Sequence, residues 1–210
     1  MQAVSDEQLI RWVADGDASC LGTLFERHHR GVYQYCLQLT RSPAASEDLV
    51  QDVFLKLLQK AASYRGEGSC KAWIFNIARN VTFDYLRRAD RRTADDDSDE
   101  NAAGLVDHRS SEQVAAGQQN LRLVARALAE IPAAAREIIW LGRFVFEDYD
   151  ELARALGCTA SAARVRMHRA MQLLNTTFTR MNVVFNSCIA RCMRTRAALA
   201  VQPSARASSS

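Results

Sequence analysis

Asp148-Tyr149-Asp150-Glu151-Leu152-Ala153-Arg154-Ala155-Leu156-Gly157 runs into Cys158-Thr159-Ala160-Ser161-Ala162-Ala163-Arg164-Val165-Arg166-Met167-His168-Arg169-Ala170, and these residues decide the fold. Asp148 can cap a short helix that gathers Leu152, Ala153 and Leu156 on one side. Gly157 then supplies a left-handed turn, and Thr159 caps a second helix. In the second helix Ala163, Met167 and Ala170 share an inward face. That leaves Thr159, Ser161, Arg164, Val165, Arg166 and Arg169 for a major groove, the arrangement of a helix-turn-helix. Arginine in such a helix pairs with guanine edges or with phosphates, and the sequence does not choose between them. By pattern alone, a helical hairpin of a bundle with solvated arginines is the alternative.

Outward from this stretch the same period persists. Three prolines and nine glycines interrupt the 210 residues, and no segment alternates β-branched residues at period two, so the fold class is all-α. A helix is expected to open at Ser5, and a second to run from about Asp17 to Leu39. Pro43 fits the first position of a third, in which Leu49, Val50, Val53, Phe54, Leu57 and Leu58 form an apolar stripe. Asp48, Gln51, Asp52, Lys56 and Gln59 fall on its reverse face. A turn at 64–68 precedes Ser69, which can cap a helix reaching about Arg88.

The segment 93–119 is acidic, small and poor in large apolar residues, so it cannot bury enough surface to offset its ordering entropy and is expected to be a flexible linker. It divides the chain into two small helical domains, 1–92 and 120–179, followed by a C-terminal extension over 180–210 whose end is expected to be disordered. An apolar fraction of 48%, the absence of an apolar run of membrane-spanning length and a polar start without a secretory pattern point to a cytoplasmic protein with no membrane span. Cys20, Cys36, Cys70, Cys158, Cys188 and Cys192 are scattered and expected to be reduced thiols. The net charge of +3 hides a polarity: no acid follows Glu151, whereas nine arginines do, as suits a polyanion partner. No nucleophile with a base, phosphate loop or convincing metal cluster is present, so neither enzymatic activity nor a cofactor is expected.

The first half carries the more specific signal. Glu47-Asp48-Leu49-Val50-Gln51-Asp52-Val53-Phe54-Leu55-Lys56-Leu57-Leu58, the turn at 64–69, Lys71-Ala72-Trp73-Ile74-Phe75-Asn76-Ile77-Ala78-Arg79-Asn80 and Asp84-Tyr85-Leu86-Arg87-Arg88 resemble region 2 of the sigma-70 superfamily. Leu128-Ala129-Glu130-Ile131-Pro132, Arg136-Glu137 and the helix-turn-helix resemble region 4. Their order and spacing are most similar to the short, two-domain extracytoplasmic-function (ECF) sigma factors, over roughly 7–92 and 120–175.

The resemblance implies an alternative sigma factor that binds core RNA polymerase, through its β′ clamp and β flap, and directs it to promoter DNA. An anti-sigma factor would be a further partner. Asp48, Gln51, Asp52 and Lys56 would face the clamp. Tyr64, Arg65, Glu67, Trp73, Asn76, Arg79, Asn80, Asp84, Arg87 and Arg88 would read the −10 element, where a base is drawn from the stack into a pocket. Core packing is the alternative for Trp73. Thr159, Ser161, Arg164, Val165, Arg166 and Arg169 would read the −35 element. The chain departs from the family pattern at Phe146-Glu147-Asp148, where Gly-Leu-Ser is usual, and at Ala162 and Val165. Cys188 and Cys192, four residues apart, are a weak metal-ligand pair; a small docking helix is the stronger reading of that extension. Two rival functions remain: a stand-alone helix-turn-helix regulator, and a non-DNA interaction protein that keeps the scaffold.

Overall fold

The computed structural model describes residues 4–66, 68–95 and 124–181, among which there is no β-strand. Helix α1 (Asp6–Ala14) starts where the sequence places it, with Ser5 and Gln8 forming a reciprocal capping box. α2 (Ser19–Thr40) stops at Arg41, which takes up the left-handed conformation at φ 58°. Ser42 caps α3 (Pro43–Lys60), with Pro43 in its first turn, where a missing N–H costs nothing. After a short 3-10 turn (Ala61–Ser63), Ser69 Oγ accepts from the Ala72 N–H to open α4 (Cys70–Asp95). Thus α4 runs past the expected end at Arg88, and 93–95 of the expected linker are helical. Residues 96–119 of that linker, Glu67, Cys188 and Cys192 lie outside the described residues.

Helices α1 to α4 pack on one another around Ile10, Leu24, Val32, Val53, Leu57 and Ile74, each almost fully removed from water. Asp6 fastens α1 to α2. Its carboxylate lies 2.6 Å from Arg27 Nη1 and 2.6 Å from His28 Nε2. Burial by itself would raise its pKa, but the hydrogen bonds from Arg27 and His28 outweigh that and hold it below the usual aspartate value. Cys36 and Cys70 are buried, and burial pushes their thiols up to about 11 and about 12, so both are protonated at neutral pH.

Pro132–Met171 joins these helices in one compact unit. It contains α6 (Ala133–Trp140), a π-helical turn (Leu141–Val145), α7 (Tyr149–Leu156) and the first part of α8 (Ala160–Arg180). Aromatic rings make much of the contact: Phe75 of α4 meets Tyr35 at 5.9 Å, Trp140 at 6.3 Å and Phe146 at 5.7 Å between centroids. Against the Tyr35 hydroxyl lies Glu137, only 3% exposed. Its Oε1 accepts the Tyr35 hydroxyl at 2.7 Å and lies 3.2 Å from Arg79 Nε, an ion pair whose N–H is out of line for a hydrogen bond. Burial raises the Glu137 pKa, and the Tyr35 hydrogen bond and the Arg79 charge recover only part of the shift.

A second unit has as its described parts a helical stretch over 124–130, here α5, with Ile131, and the end of α8 from Gln172. Ala127, Ile131, Leu174 and Phe178 are the buried apolar residues among its described parts, and Arg180 pairs with Glu130.

The Tyr35→Phe change should lower the stability of the first unit by about 1–2 kcal/mol at pH 7, because a buried carboxylate loses a donor. A carboxyl with a raised folded-state pKa penalises the folded state only while ionised. The deficit should therefore shrink as pH falls through that raised value toward the ordinary 4.5. Denaturant unfolding at both pH values checks this; a pH-independent deficit would place the cause elsewhere.

Candidate nucleic-acid interface

The helix-turn-helix forms through local signals. Asp148 accepts from the N–H groups of Asp150 at 3.1 Å and Glu151 at 3.3 Å, capping α7. Gly157 takes φ 61°, and the N–H groups of Cys158 and Gly157 return to the carbonyls of Ala153 and Arg154, closing a Schellman-type end. Thr159 Oγ1 then accepts from the Ala162 N–H at 3.2 Å and starts α8. Ala163, Met167 and Ala170 are buried. The opposite face presents Ser161, Arg164, Val165, Arg166 and Arg169, all exposed, with Thr159 at its leading edge. Tyr149, which the sequence reading passed over, sets its ring 5.3 Å from the Arg164 guanidinium and so restrains a long side chain on that face.

The unusual residues before α7 are accommodated by the π turn. The Phe146 N–H reaches back five residues to the Leu141 carbonyl at 2.9 Å, Phe144 turns out and Phe146 turns in. A β-carbon at Gly142 in this turn would lie 2.4 Å from the Met167 methyl and 3.1 Å from Leu152 Cδ2, so the ends of those two side chains would have to shift to admit one.

On α4, Trp73, Asn76, Asn80, Asp84 and Arg87 share one face, opposite buried Ile74, Ile77 and Val81. Trp73 is half-buried, its ring 5.3 Å from that of Tyr64. Tyr64 donates its hydroxyl to the Gly68 carbonyl at 3.1 Å, and burial pushes its pKa up to about 12. Arg65, Asn80, Arg87 and Arg88 are exposed, and Arg87 pairs with Asp84. Asn76 and Arg79 are engaged within the protein, Asn76 with carbonyls of α7 and Arg79 with Glu137 and the Phe83 ring. On α3, Asp48, Gln51 and Asp52 are exposed and Lys56 half-buried. Among them stands Leu55 at 57% exposure, with Leu58 at 39%, so the apolar stripe does not take in Leu58 and the outer face has an apolar centre. Helical periodicity could have flagged Leu55, an apolar residue on a polar face.

Residues 24–92 match the model of sigma-70 region 2, and residues 121–174 match that of sigma-70 region 4. The chain belongs to the sigma-70 family. Curated relatives place this sigma factor in the ECF group. The ECF RNA polymerase sigma factor SigL of Mycobacterium tuberculosis is 28% identical, over 81% of this chain and 95% of its own length. The ECF RNA polymerase sigma-E factor of Escherichia coli is 24% identical, over 83% and 94%. Among solved structures, the sigma factor RpoE in complex with the anti-sigma factor NepR from Bartonella quintana is similar at a TM-score of 0.60 and 26% identity, covering 75% of this chain and 96% of that one. CnrH in complex with the cytosolic domain of CnrY has the same fold, with a TM-score of 0.61 at 23% identity, covering 83% and 97%. Among the described residues of this sigma factor, no helix is long and apolar enough to cross a membrane.

Thr159→Ala removes the cap of the arginine-bearing helix and should cost about 1 kcal/mol, whereas Thr159→Ser should restore most of it. Thermal unfolding of the three proteins tests the assignment, and equal midpoints for Ala and Ser would refute it.

Proposed function

We propose that this chain acts as an alternative sigma factor through three surfaces: Asp48, Gln51, Asp52 and Lys56 around Leu55 on core polymerase, the 64–88 set on the −10 element, and the 159–169 set on the −35 element. What carries the reading is the exposed arginine face of α8, held by the Thr159 cap, in a chain that also matches region 2. An exposed apolar side chain ringed by polar groups suits docking on a protein, because the centre gains from burial while the rim sets register. The β′ clamp is the proposed seat of this α3 face, and the β flap that of the second region. Exposed Arg164, Arg166 and Arg169 offer three cations to phosphates or guanine edges.

The chain has no chemistry of its own in this reading, and polymerase forms the bonds. Its place of action is the cytoplasm, where polymerase and promoters are. The domain division at 1–92, 93–119, 120–179 and 180–210 stays part of the proposal. RpoE from Bartonella quintana was solved with the anti-sigma factor NepR, which supports proposing such a partner here.

Run-off transcription with purified core enzyme on a promoter library, with and without the chain, tests the function. New start sites that require the chain are expected; unchanged starts would refute it. Asp52→Arg should weaken core binding about tenfold by reversing a charge at the rim of the Leu55 patch. Unchanged affinity would mean that a different surface docks. Alanine at Arg164, Arg166 and Arg169 together should leave core binding intact, reduce promoter binding by the holoenzyme and lower its salt slope by up to about 3. A decoy protein would keep its function after this triple change.

A further inference from the structure

The outward face of α8 has a centre and two edges. Successive residues of an α-helix are turned by about 100°, so buried Ala163, Met167 and Ala170 fix its inward direction. By the same rotation Val165 points almost opposite to them, and it is 47% exposed. Ser161 and Arg169, one turn before and one turn after, lie about 40° to either side of it. Arg164 and Arg166 are each turned about 100° from Val165 and form the two edges. Neighbouring helices mark those edges. The Arg164 guanidinium is 5.3 Å from the ring centroid of Tyr149, in the first turn of α7. Arg166 is on the α6 side: burial raises the Glu137 pKa, and the Arg166 charge is among those that oppose it.

A helix seated in a major groove turns its centre to the base edges and its flanks to the phosphate walls, and the first helix of a helix-turn-helix crosses the backbone. An arginine held on the start of that first helix is therefore directed at a phosphate. Valine, by contrast, has no donor or acceptor. Pressed against base edges it would leave their polar groups without partners, except where the groove offers an apolar group of its own, and that group is the 5-methyl of thymine.

Resting on the −35 reading given above, we propose that Val165 is the specificity-determining residue of α8: it packs on the methyl group of a thymine in the −35 element, while Arg164 and Arg166 hold the phosphates on either side. Ser161 and Arg169 then face the base pairs that flank this thymine. Of the three arginines on the face, Arg169 is the one placed for a guanine edge.

Deoxyuridine scanning tests this with the holoenzyme formed on purified core polymerase. Deoxyuridine pairs as thymidine does and lacks only the methyl group. Each thymine in the −35 element of a promoter that the holoenzyme transcribes is replaced in turn, on either strand, and promoter binding is measured. Replacement at one position, or at two adjacent ones, should weaken binding about fourfold, the worth of one buried methyl group, and the rest should have no effect. In holoenzyme carrying Val165→Ala, the same replacement should change nothing. A scan without effect at any thymine overturns the proposal, as does a −35 element without thymine or an effect that persists undiminished in V165A. The scan with the unaltered chain needs no variant, so it decides the matter even if V165A fails to fold. Arg164→Ala should weaken binding to every promoter alike, lower the salt slope by about 1 and keep the thymine effect. A changed base preference in that variant would overturn the assignment of the edges. Failure of the underlying function would appear separately, as a holoenzyme that starts no new transcripts. An active holoenzyme indifferent to the methyl group sinks this inference alone.

Discussion

A carboxylate taken almost completely out of water must find partners, and Glu137 finds them on two other helices. Tyr35 from α2 and Arg79 from α4 converge on one of its oxygens, with the rings of Phe75 and Trp140 beside them. Removing any one partner would strand the others in a poor dielectric, so the three helices are constrained to meet here. The placement of α7 along α4 follows, because α7 is tied to α6 by only the π turn and a short capped link.

Charge is distributed to match. The acids of the helix-turn-helix, Asp148, Asp150 and Glu151, all lie at the start of α7, where they cap it, favour its dipole and reach Ser69. After Glu151 only arginine side chains contribute formal charge, and Arg164, Arg166 and Arg169 project from α8 with no carboxylate on the same face. One short stretch therefore changes from a segment that binds its own chain to one suited to phosphates.

Local chemistry was the legible part. Ser5, Ser69, Asp148, Gly157 and Thr159 announced their caps and turns, because each acts on backbone groups within a few residues. Helical period identified Leu49, Val50, Val53, Phe54 and Leu57 as core and Ser161, Arg164, Val165, Arg166 and Arg169 as surface. The commitment of Asn76 and Arg79 could not be read in the same way, since their partners lie more than fifty residues away. Glu137 was visible only as part of a family resemblance; a lone glutamate is ordinarily exposed, and its burial depends on a tyrosine from another helix. Leu58 shows the limit of period itself: it sits where a stripe and a polar face meet, and packing decides which side it joins.

The π turn at Leu141–Val145 has an implication for protein engineering. A five-residue return in place of a four-residue one inserts one extra residue, and each residue of an α-helix is worth about 100° of rotation. The heading of everything downstream, the arginines of α8 included, is set by that single added step. A chimaera that grafts another protein's α7 and α8 after a regular helical turn would point its recognition surface in a different direction even if every grafted side chain were ideal. The splice point must therefore lie before Leu141.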